Sequence, residues 1–136
     1  MARLRKEPAK DGPVVLLVLS CPERQARLAA ILHALGVDLL WVRQLLQTRP
    51  PLLTVVTDAT LEDGNWCDVL RAVVDYDPQA SVVVVAPSSA DEILWSEVMW
   101  RGVHDMLVEP FTKSEARQVL EGALRAAGRG ERAAVA

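Results

Sequence analysis

Short continuous runs of β-branched and leucine residues recur along the chain, and a stretch of helical periodicity follows nearly every one. The run at 81–86 is the most hydrophobic, with Val82, Val83, Val84 and Val85 in succession, and residues 14–19 and 52–57 are of the same kind. A strand covered on both faces reads as such an unbroken apolar run, whereas a strand with one wet face alternates. Shorter runs at 39–42 and 106–108 bring the predicted strands to five. Between them, residues 22–35 carry an apolar stripe of Leu28, Ile31, Leu32 and Leu35, closed by Gly36. Ser20 and Glu23 predict a capping box, with Pro22 tolerated in the first turn. Residues 43–48 allow one or two helical turns before Pro50-Pro51. Residues 58–65 read as a polar loop. Residues 66–76 are predicted helical with Trp66, Leu70, Val73 and Val74 inward, and residues 91–101 helical up to Gly102. Thr112 and Glu115 predict a second capping box, opening a helix to about Ala127.

Five strands alternating with five helices imply an α/β fold, a parallel sheet covered on both faces by right-handed crossovers. Ligands of such sheets bind beyond the carboxyl ends of the strands. The functional edge is therefore expected in the loops at 20–22, 57–64, 86–90 and 109–111.

The 136 residues suit one domain, and 51% hydrophobic composition supplies its core. A net charge of -3 argues against a chain whose main task is gripping nucleic acid. No apolar run approaches the roughly 20 residues a bilayer span needs, and no long apolar segment follows the charged N-terminus. Cys21 and Cys67 cannot make a disulfide framework, so free thiols in a reducing cytoplasm are expected. The expected organisation is a flexible leader at 1–13, the domain at 14–128 and a flexible tail or linker at 129–136.

The segment Gly102-Val103-His104-Asp105-Met106-Leu107-Val108-Glu109-Pro110-Phe111 resembles the G-A-x-D-Y-L-V-K-P-F segment of the receiver domains of bacterial two-component response regulators. Asp58 follows the third strand, where that family keeps its phosphate-accepting aspartate, and Asp63-Gly64 resembles the D-G that opens the family's third helix. The resemblance runs from about Val14 to Gly128. It implies a doubly wound, flavodoxin-like sheet of strand order 2-1-3-4-5, here with a shortened second helix, and a cis peptide at Glu109-Pro110. It also implies a chemistry: the aspartate, a divalent metal held by an acidic pair after the first strand, a lysine before the proline, a Ser/Thr hydroxyl ending the fourth strand and an aromatic switch on the fifth.

The chain departs from that pattern at nearly every position. Leu19 and Ser20 stand where the acidic pair belongs, and Glu109 stands where the lysine belongs. The hydroxyl position falls on Ala86 or Pro87, the switch position is Met106, and a one-residue slip would put Thr57 in place of Asp58. A phosphoryl group brings about two negative charges to a pocket already holding Asp58 and Glu109, a repulsion on the order of several kcal/mol where burial is partial. Asp58 is thus expected to remain an accessible carboxylate but a poor acceptor. The reading is a degenerate receiver, a pseudo-receiver, with no enzymatic activity, cofactor or metal. Its expected work is phosphorylation-independent protein interaction in bacterial signalling, with no nucleic-acid or membrane contact. The alternative is a phosphoacceptor that still uses Asp58.

Other constellations weigh less. Cys21 and Arg27 have the C-x5-R spacing of cysteine phosphatases, but the interval holds no glycine and contains Pro22 and Glu23, which remove an N–H donor and repel an anion. This leaves a cysteine-dependent phosphatase as a remote alternative. Neither His33 nor His104 lies near a Cys/Asp/Glu set with metal-ligand spacing. Trp41, Trp66, Trp95 and Trp100 are many beside one Tyr and one Phe. On a helix Trp95 and Trp100 lie roughly 140° apart, so one of them is expected to be partly exposed, as interface or as satellite core. The resemblance places the partner surface, for another protein or a second copy, on the fourth helix, fifth strand and fifth helix. Trp95, Trp100, Arg101 and His104 are its candidate residues, with Met106, Arg117 and Glu121 around them.

Overall fold

The structure, a computed structural model, describes residues 14–41, 51–88 and 91–129. The elements are β1 (Val14–Val18), α1 (Pro22–Ala34), β2 (Leu39–Trp41), β3 (Leu52–Asp58), β4 (Thr60–Leu61), β5 (Gly64–Asn65), α2 (Trp66–Tyr76), β6 (Ser81–Ala86), α3 (Glu92–Trp100), β7 (Asp105–Val108) and α4 (Lys113–Arg129). The expected leader, the turns at 43–48 and residues 130–136 of the expected tail lie outside the described residues, while Arg129, assigned to that tail, ends α4.

Five strands form one parallel sheet in the order β2-β1-β3-β6-β7. Counting the long strands alone, this is the 2-1-3-4-5 order that the resemblance implies. Strand periodicity divides the apolar runs between two cores. Val82 and Val84 join Val55, Trp66, Leu70, Val73, Val98 and Met106 on one face. Val83 and Val85 join Val56, Leu107 and the stripes of α1 and α4 on the other. Both faces are therefore dry, which is why the runs show no polar alternation. Two buried hydroxyls within the sheet are matched. Thr54 Oγ1 and Ser81 Oγ lie 2.9 Å apart, and Ser81 Oγ donates to the Ala123 carbonyl of α4 at 2.9 Å.

Several local expectations change. The polar loop at 58–65 contains an antiparallel hairpin of β4 and β5. Asp63-Gly64 belongs to that hairpin and does not open a helix. Asn65 caps α2 instead: its side chain accepts from Cys67 N and Asp68 N, while Asp68 accepts from Asn65 N. Val74 is exposed, because Leu70 and Val73 already fill the inward stripe. The Ser20–Glu23 capping box does not form, since the N-cap of α1 is Cys21, with no side-chain cap bond. The second box does form: Thr112 N–H donates to Glu115 Oε1 at 2.9 Å, and Glu115 N–H donates to Thr112 Oγ1 at 3.0 Å. Among the described residues no helix is long and apolar enough to cross a membrane.

Candidate functional site

The carboxyl ends of β1, β3 and β7 meet the first turn of α1, and strand period decides what is presented there. Val56 and Leu107 face the α1–α4 side. Asp58 and Glu109 lie two residues further along their chains, so both carboxylates turn to that same side. On α1, Arg24 stands one turn before Leu28, the first buried residue of the helix stripe, and Arg27 is three residues on. Two acids and two guanidinium groups thereby converge.

Asp58 is only 4% exposed, which corrects the expectation of an accessible carboxylate. Its Oδ2 accepts from Ser20 N–H at 2.8 Å and from Ser20 Oγ at 2.9 Å. Its Oδ1 faces Arg24 Nη1 at 3.5 Å. Those two atoms are buried and neither has a hydrogen-bond partner, so they answer each other by charge alone. Arg24 Nε donates to Glu109 Oε2 at 3.0 Å, and Arg27 Nη2 donates to the same oxygen at 3.0 Å. The Arg27 guanidinium also lies over the Phe111 ring, 4.7 Å from its centroid. Glu109 N–H donates to Ala86 O at 2.9 Å, which fixes the start of the turn, and the Glu109–Pro110 peptide is cis.

The other residues singled out in the sequence fall as follows. Leu19 is core, packed with Leu28 and Leu120 among others, and only its carbonyl is engaged at the edge, accepting from Gln25 Nε2. Thr57 points to the opposite face and donates its hydroxyl to Asp58 O, so it does not stand beside Ser20. Ala86 is a buried strand end and Pro87 is exposed; neither brings a hydroxyl to the carboxylates. Residues 22–27 are already helical and Arg27 is held by Glu109, so no phosphate loop links Cys21 to Arg27 and the phosphatase reading fails.

Met106 is buried against the core of the other face and cannot belong to an exposed surface. Arg117 is paired with Glu121 on α4. His104 is half-buried beside Gly122, and Arg101 is exposed. Trp95 and Trp100 are 43% and 88% exposed, so both indoles, rather than one, reach solvent.

Sequence reasoning missed Arg24. The signal was present: Arg24 extends the Leu28–Ile31–Leu32–Leu35 stripe by one turn toward the sheet's carboxyl edge. Its presence also corrects the charge arithmetic, because Asp58 and Glu109 do not face each other without a cation. A divalent metal does not suit these residues. Leu19 and Ser20 supply no second carboxylate, and a guanidinium stands against the one oxygen of Asp58 that hydrogen bonds leave free.

No protein-family model and no curated protein matches this chain. Solved structures do. A response regulator receiver domain protein from Clostridium thermocellum superposes with a TM-score of 0.69 at 18% identity, over 82% of this chain and 94% of that one. The signal receiver domain of an HD domain-containing protein from Pseudomonas fluorescens Pf-5 gives 0.72 at 22% identity, over 86% and 98%. The beryllofluoride-activated NtrC4 receiver domain dimer gives 0.71 at 17% identity, over 83% and 98%. The fold of this chain is thus the flavodoxin-like fold of receiver domains.

Proposed function

We propose that this receiver-fold chain is a degenerate receiver, a signalling domain in a two-component or phosphorelay context that works by protein association and is not switched by phosphorylation. One observation carries the reading: the carboxylate of Asp58 is buried, bound twice by Ser20 and faced by Arg24. Phosphoryl transfer depends almost entirely on positioning and charge stabilisation. Here the side chains that would supply these are replaced or engaged in holding one another. Met106, buried and flexible, offers no ring that could swing outward on activation.

The association surface is read on α3 and β7. Ile93, Trp95, Met99, Trp100 and Val108 are all exposed there, next to the charge of Arg101. Exposed indoles beside charged groups have the composition of an interface hot spot. The dimer of the NtrC4 receiver domain supports self-association as the first form to look for.

The test is a mass measurement after incubation with acetyl phosphate and magnesium, paired with sedimentation of the same samples. The expected result is no added phosphoryl mass, with association the same with and without the donor. A phosphoryl adduct lost in Asp58→Asn would establish the phosphoacceptor reading instead.

A further inference from the structure

Arg24 reaches two carboxylates at once. Its Nε donates to Glu109 while its Nη1 faces Asp58, and Arg27 holds Glu109 from the other side. A planar guanidinium offers donors in a fixed fork and can address two acids simultaneously, whereas an ammonium is a single point charge. The quartet of Asp58, Glu109, Arg24 and Arg27 sums to zero charge with no added ion.

We propose that Arg24 is the built-in counter-cation of this pocket, occupying the electrostatic place of a divalent metal. With Arg27 it latches the first turn of α1 to the turn between β7 and α4. The proposal rests on the phosphorylation-independent reading above and names what holds the site in a single state. The Asp58 carboxylate is too deeply buried to be neutralised by water, so its charge must be met by a fixed partner. Ser20 satisfies one oxygen with hydrogen bonds, and Arg24 faces the other. Glu109 then keeps the guanidinium aimed inward, for without it nothing else among the described residues accepts from Arg24 Nε. A charge reversal at the position of the resembled lysine is therefore one half of a compensated exchange, the other half being an arginine on α1. Arg24 acts here as a positioning residue, filling the side of Asp58 that a second cation would approach.

Thermal unfolding of the full chain tests this. Arg24→Gln keeps much of the side-chain length but removes the charge, and should lower the melting temperature by about 10 °C by leaving a buried carboxylate uncompensated. Adding Asp58→Asn to Arg24→Gln should restore most of that loss, which a merely packing role for Arg24 would not permit. Millimolar manganese should raise the melting temperature of Arg24→Gln and leave the wild type unmoved. If the double variant melts no higher than Arg24→Gln, or if Arg24→Gln ignores manganese, the latch is wrong while the reading of the domain stands. If Arg24→Gln does not fold, the double variant decides alone: folded supports the proposal, unfolded overturns it. If wild type is itself stabilised by manganese or takes up a phosphoryl group, the underlying reading falls.

Discussion

Ser20 gives two hydrogen bonds, one from backbone and one from side chain, to a single oxygen of a buried carboxylate. Bonds to a charged group are worth about 1.5–3 kcal/mol when the alternative is an unmet buried charge. Ser20→Ala keeps the backbone bond and loses the other, so urea unfolding should show a loss of about 1.5 kcal/mol or more. Glu109→Lys, which restores the residue of the resembled family, should not restore its chemistry. It would set a third cation against Arg24 and Arg27 with only Asp58 to balance them. A loss of about 2 kcal/mol or more, with no phosphoryl adduct by mass, is expected. At this scale the sequence revealed the acids and hid their partner. Asp58 and Glu109 end recognisable strands, but Arg24 counts as surface until the α1 stripe is extended one turn beyond its last leucine.

The elements differ in how well sequence alone marked them. The β6 valines, a short and wholly β-branched run, mark a strand dry on both faces. The start of α1 was misread by one residue because both Ser20 donors bind Asp58, which leaves Ser20 in the loop and makes Cys21 the N-cap. No local pattern contains that long-range bond. The box at the start of α4 was legible because both its members are local, and Thr112→Ala should cost about 1 kcal/mol in chemical denaturation. α3 carries apolar residues on every side, despite Glu92, Ser96 and Glu97, so periodicity could not say which residues face inward. The sheet takes Val98, fully buried, and leaves Ile93 at 74% exposure. Val98→Ala should therefore cost about 2 kcal/mol, and Ile93→Ala less than about 0.5 kcal/mol, in the same unfolding series.

At the scale of the molecule, the strand order came from resemblance; alternation alone supports only a parallel sheet. The association surface makes its prediction at this scale. Trp100→Ala should weaken self-association in sedimentation while shifting the melting temperature by less than about 2 °C, since the indole contributes little to either core. A large fall in stability with association intact would mean that Trp100 packs in solution as it does not here. The latch also bears on biosynthesis. Arg24 and Glu109 are 85 residues apart in sequence. A chain growing on the ribosome presents β1, α1 and β3 long before Glu109 exists, so Arg24 must wait for its second carboxylate until β7 has emerged. Contacts of such sequence separation close late and expose unfinished surfaces meanwhile. A chain cut short of β7 would leave Arg24 with Asp58 alone, Arg27 without its carboxylate and the β6 edge of consecutive valines uncovered, so the meeting of Arg24 with Glu109 is a chemical mark that β7 has been made and has joined the sheet.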